Sequence, residues 1–130
     1  MGEAASLEIH GIGQIAVRVQ DLERAAAFYR DVLGLRHLFT APPGLAFFDC
    51  GGVRLMLTLP EAPEFDHPGS ILYFRVDDIQ SANATLVKKG AVVESPPQKI
   101  ASFPDHDLWL SFFRDSEGNP LCLMSEVRRE

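Results

Sequence analysis

Between residues 14 and 35 the alternation of apolar and polar positions changes period once. Ile15, Val17 and Val19 alternate with Gln14, Ala16 and Arg18, the repeat of two expected of a half-buried strand. From Leu22 onward, Leu22, Ala25, Ala26, Tyr29, Val32 and Leu33 recur at helical spacing and keep one face apolar. Asp21 offers an N-cap oxygen to the first free N–H groups of that helix, and Gly34 is placed to end it. The stretch predicts a strand running straight into a capped helix.

The rest of the chain repeats this unit. Strands are predicted over 36–40, 45–50 and 53–59, the last two joined at Gly51-Gly52, with Ala41-Pro42-Pro43-Gly44 a turn. Residues 60–69, rich in proline and in alternating acids, read as a linker. A second strand over 71–76 then leads into a helix capped by Asp78, with Ile79, Ala82, Leu86 and Val87 on its apolar face. Lys88 and Lys89 suit the negative end of that helix, and Gly90 stops it. Further strands are predicted over 91–94, 108–113 and 121–124. Pro96-Pro97 is expected to end the first of them, 98–107 to form a mixed loop, and 115–119 to form a turn before a charged tail.

The repeat is visible residue by residue. Val17-Arg18-Val19-Gln20-Asp21-Leu22 matches Phe74-Arg75-Val76-Asp77-Asp78-Ile79, and Leu55-Met56-Leu57 matches Leu121-Cys122-Leu123. Two copies are too few for a solenoid. The expected fold is α+β, a duplicated β-α-β-β-β pair in one domain, with modules at about 12–59 and about 70–126 flanking the 60–69 linker. Strand parity separates two faces. Ile15/Val17/Val19, Leu55/Leu57/Leu59, Leu72/Phe74/Val76 and Leu121/Leu123 should pack under the helices. The opposite face carries Gln14, Ala16, Arg18, Arg54, Met56, Thr58, Ile71, Tyr73, Arg75, Cys122 and Met124. A mostly apolar face dotted with a few polar groups is what a small-molecule cleft needs, and it equally suits burial against another subunit.

Composition narrows the function classes. A net charge of −6 with no Lys or Arg run argues against nucleic acid or an anionic membrane as partner. No apolar run reaches membrane-spanning length, and residues 1–6 carry no basic region before an apolar core, so neither a transmembrane segment nor a secretory signal is expected. The loose myristoylation match over the same six residues is spoiled by Glu3. Cys50 and Cys122 stand alone in apolar runs and read as reduced, buried thiols of a cytoplasmic protein.

The duplicated modules, the run from Gly13 to Leu35 and the turn Arg114-Asp115-Ser116-Glu117-Gly118-Asn119 resemble the vicinal oxygen chelate superfamily, which holds glyoxalase I, bleomycin- and fosfomycin-resistance proteins and ring-cleaving dioxygenases. The resemblance implies a homodimer, and, in metal-dependent members, ligands on the first and last strand of each module. Here those positions fall on Gln14, Met56, Ile71 and Cys122. An amide, a thioether, an alkyl group and a thiol are not the hard donor set of a divalent ion. The expected function is therefore binding of a small organic molecule without the usual metal, with Gln14, Arg18, Met56, Tyr73, Arg75, His106, Trp109 and Cys122 lining the cleft.

Three features stay open to alternatives. Asp105, His106 and Asp107 are candidates to bind a metal or relay a proton, or form a solvated loop. Trp109 with Phe112 and Phe113 forms either an aromatic wall or core. Arg18 and Arg75, at equivalent sites in the two modules, bridge an anion or pair with nearby acids. The alternative functions are a metal-dependent lyase, isomerase or dioxygenase whose divalent ion has moved to Gln14 and His106, and a non-catalytic dimeric assembly protein.

Overall fold

The computed structural model describes residues 7–8, 10–60, 62–63, 66 and 69–129. The fold is α+β. Strand β1 (Gln14–Arg18) leads into α1 (Leu22–Ala27), which continues as a π-helical segment (Phe28–Val32), and then β2 (Arg36–Ala41), β3 (Leu45–Cys50) and β4 (Val53–Thr58). The second unit repeats the order as β5 (Leu72–Arg75), α2 (Ile79–Lys88), β6 (Val92–Ser102), β7 (His106–Arg114) and β8 (Pro120–Arg128). Each unit makes one four-stranded mixed sheet, ordered β1-β4-β3-β2 and β5-β8-β7-β6. In both, the first strand pairs in parallel with the last and the other pairs are antiparallel.

The local chemistry follows the sequence pattern. Asp21 accepts the Arg24 N–H at 3.0 Å and Asp78 accepts the Ser81 N–H at 3.1 Å, each capping its helix. Gly51 and Gly52 hold φ values of 59° and 90°, the two positive angles of a tight hairpin turn. The first helix departs from the expected regular form: the Leu33 N–H donates to the Phe28 carbonyl five residues back, widening the last turn. Phe28 and Tyr29, in the widened segment, are both buried. They join Val17, Val19, Phe48, Leu55 and Leu57 from the first sheet and Ile79, Leu86, Phe113, Leu121 and Leu123 from the second unit in one core.

The three largest boundary differences from the sequence expectation fall in the second unit. β6 runs through Pro96-Pro97 to Ser102, β7 begins at His106, and β8 continues into the charged tail. Prolines are tolerated because β6 is an edge strand and they sit where its register shifts, between Ser95 and Gln98. The charged tail pairs because His106 and Leu108 on β7 face Arg128 and Glu126 on β8. Residues 1–6, expected to carry neither a leader nor a lipid signal, and His67 lie outside the described residues.

The turn between β7 and β8 ties the two units together. Glu117, with its side chain 1% exposed, accepts the backbone N–H groups of Gln20 and Asp21 at 2.8 and 2.9 Å and the Arg24 Nε–H at 2.7 Å. The Tyr29 hydroxyl donates to Asp115 Oδ2 at 2.8 Å, and Asn119 Nδ2 donates to the Arg18 carbonyl at 2.9 Å. Burial pushes the Glu117 carboxyl upward, but the hydrogen bonds from Arg24, from the backbone of Asp21 and Gln20 and from Ser116 outweigh it and hold the group at about 2. Burial, then the neighbouring Asp115 carboxylate, pushes the Tyr29 hydroxyl far up.

A depressed carboxylate contributes stability above its unfolded pKa and loses it as pH falls through the folded one. Glu117→Gln is therefore expected to lower the unfolding free energy near neutrality by about 1–3 kcal/mol. It should also flatten the fall in stability between pH 4.5 and about 2. Denaturation midpoints measured across that range check it, and parallel curves for the two proteins would refute the role of the tie.

Candidate functional site

On the face away from the helices, the first sheet presents Gln14, Arg54, Met56 and Phe47. Gln14 is in register with Arg54, its Oε1 accepts the Arg54 Nε–H at 2.8 Å, and its Nε2 donates to Met56 Sδ at 3.6 Å. The Arg54 guanidinium carbon lies 5.4 Å from the centre of the Phe47 ring, and Phe47 stacks on Phe39. Of the four positions that the family resemblance gives to metal ligands, only Gln14 carries an oxygen donor, and an arginine already holds that oxygen. Cys122 is fully buried. Burial pushes its thiol up, away from the thiolate that a metal would require. Ile71 has no donor atom. The residues present do not fit a divalent ion, and among the described residues no three His, Cys, Asp or Glu side chains gather as a metal group.

Arg18 occupies a different setting. It lines a cavity of about 550 Å³ where the inner face of the first sheet meets the start of the second. Ala16, Met56 and Leu45 form one side, Leu72 and Leu121 another, and Pro60 and Ser70 of the connecting segment close a third. The Arg18 side chain is 25% exposed and its Nη1 donates to Asp66 Oδ1 at 3.1 Å. Its Nε is buried and makes no hydrogen bond among the described residues. The volume and the mainly aliphatic walls are those of a small-molecule pocket.

The remaining expected cleft residues are dispersed over the second sheet. Tyr73, half exposed, meets Phe112 edge-on at 6.2 Å and is in register with Cys122. Arg75 is exposed one step further along β5. Neither residue lines the cavity. Trp109 lies on the other face: it shares the alternation of Ser111 and Phe113 and packs against the core, so its ring is core and not wall. His106 sits at the far end of β7, in register with Arg128. Its Nδ1 is 2.7 Å from Asp105 Oδ1, its Nε2 is 3.2 Å from Glu126 Oε2, and its ring stacks on Phe103. Both ring nitrogens are thus engaged by carboxylates.

Sequence reasoning missed Leu45, Leu72, Ser70, Asn119 and Leu121 as cavity residues. Strand parity alone puts Leu72 and Leu121 under the helices, and only the junction between the units turns their edge toward the cavity.

Both thiols have raised pKa values, Cys122 through burial and Cys50 through burial and the adjacent Asp49. At about pH 8 Cys122 is expected to resist a thiol-exchange reagent in the folded protein and Cys50 to react slowly, both reacting at once in denaturant. Rapid native labelling of Cys122 would contradict the buried site.

Comparison with known proteins gives the same fold a lineage. Residues 11–123 match the model of the Glyoxalase/Bleomycin resistance protein/Dioxygenase superfamily. A glyoxylase-like domain-containing protein of Didymella fabae is 31% identical over 126 residues, spanning 85% of this chain and 91% of its own. The crystal structure of lactoylglutathione lyase from Agrobacterium tumefaciens superposes with a TM-score of 0.72 at 26% identity, covering 91% of this chain and 95% of that one. A superfamily member from Sphaerobacter thermophilus DSM 20745 superposes with a TM-score of 0.78 at 24% identity, covering 92% of this chain and all (100%) of the other. The paired β-α-β-β-β units, a family match over nearly the whole chain and these relatives agree, and the chain belongs to the Glyoxalase/Bleomycin resistance protein/Dioxygenase superfamily.

Proposed function

We propose that this protein binds a small organic molecule in the cavity beside Arg18, without the divalent metal of metal-dependent superfamily members. The single observation that supports the reading most is the 550 Å³ cavity itself, bordered by both sheets and the connecting segment, while the expected ligand positions carry no full set of hard donors. In this reading the chain is one domain, two modules at about 12–59 and about 70–126 joined by residues 60–69, because the cavity needs all three parts. Its two free thiols suit a reducing cytoplasm. No helix among the described residues is long and apolar enough to cross a membrane.

The metal-dependent alternative needs Gln14 to leave Arg54 and His106 to leave two carboxylates. Protein purified without chelator is expected to carry far less than one metal ion per chain, and His106→Ala to leave that content unchanged. A stoichiometric ion that disappears in the variant would overturn the metal-free reading. Ser70→Trp, at the exposed rim of the cavity, should block ligand-induced thermal shifts across a panel of small organic acids and amides without lowering the melting temperature of the free protein.

A homodimer is part of the same proposal. The face away from the helices leaves Tyr73 50% and Phe39 48% exposed, a large aromatic area for a free monomer. Sedimentation at micromolar concentration should give twice the chain mass, and Tyr73→Glu should shift it toward the monomer. A wild-type monomer would sink this part alone.

A further inference from the structure

We infer that the cavity takes an aliphatic carboxylic acid, with its carboxylate on the Nε edge of Arg18, and that Asp66 is an internal carboxylate competing for the same guanidinium. The inference rests on the small-molecule reading above and gives it a ligand class.

Arg18 is the one charged residue lining the cavity among the described residues. The other polar groups of the walls, Thr58, Ser70 and Asn119, are neutral. Asp66 pairs with the guanidinium from outside the lining, and among the described residues no carboxylate lies on the walls, so the charge that faces the cavity favours an anion. Of the guanidinium's five N–H donors, Nη1 meets Asp66 at 3.1 Å, while Nε is buried and has no partner. A buried N–H left without an acceptor is costly, and a carboxylate oxygen is the group that satisfies it best. The planar fork presents Nε and the neighbouring Nη2 along one edge, the spacing of two carboxylate oxygens.

Asp66 sets the affinity rather than blocking the site. Its side chain is 51% exposed, so the ion pair is a half-solvated one that contributes little and is readily loosened. It holds the Nη1 end and leaves Nε without an acceptor. The body of the ligand follows from the walls: Leu45, Met56, Leu72 and Leu121 are aliphatic, and among the described residues no aromatic ring borders the cavity for a flat ligand to stack on. Arg75, the repeat-related arginine, takes no part, because it does not line the cavity.

The test is calorimetric titration with octanoate and with octanamide, its uncharged isostere, at matched ionic strength. Wild-type protein is expected to bind octanoate about tenfold or more tightly than octanamide. Arg18→Gln should bring that ratio close to one. Asp66→Asn, on the exposed side of the pair, should tighten octanoate several-fold and leave octanamide unchanged, a response that no general change in packing would produce. Equal binding of acid and amide, unaffected by either substitution, would overturn the carboxylate assignment while the cavity reading stands. Binding of neither compound at millimolar concentration would overturn both.

Discussion

Glu117 buries its carboxylate at the start of a helix that belongs to the other half of the chain. There it meets the orphan N–H groups that begin α1, next to a guanidinium from the same helix. A charge in that position tolerates little displacement, since any shift strands either the carboxylate or the backbone donors. With Asp115 on Tyr29 and Asn119 on the Arg18 carbonyl, one five-residue turn sets how the two sheets meet. The cavity beside Arg18 lies at that meeting, so its shape depends on these polar contacts, and Asn119 itself lines it. The same turn fixes the backbone of Arg18 from one side while Asp66 holds its side chain from the other.

The inner face of the first sheet shows how a family scaffold changes its chemistry without changing its fold. Gln14 still sits where a ligand oxygen would be needed, yet Arg54 takes that oxygen and spreads over Phe47. Met56 beside Gln14, and Cys122 and Ile71 at the other expected ligand positions in the second unit, offer no hard donors. Arg54 adds a permanent positive charge beside Gln14, which disfavours a cation there.

Most of the fold was legible from alternation alone. Val17, Val19, Leu55, Leu57, Leu121 and Leu123 lie in the core, as their spacing requires, and both aspartate caps form. The errors share one cause. Pro96-Pro97 and the charged residues 126–128 were read from local propensity, whereas an edge position and pairing with β7 decided them. The site was less legible. Arg18 and Met56 border the cavity, whereas Trp109 follows the parity of Phe113 and packs against the core. Leu72 and Leu121 reach the cavity only because two sheets abut there. No single-strand pattern encodes a junction between strands more than fifty residues apart in sequence, as β1 and β5 are.

Pro96-Pro97 in β6 has a consequence beyond its own strand. The free edge of a sheet is a template on which a foreign strand, or a second copy, adds by continuing the ladder. Two adjacent residues without N–H groups, at a place where the register already slips, interrupt that template at the outermost strand of the second sheet. Runaway polymerisation through that edge is disfavoured from the start.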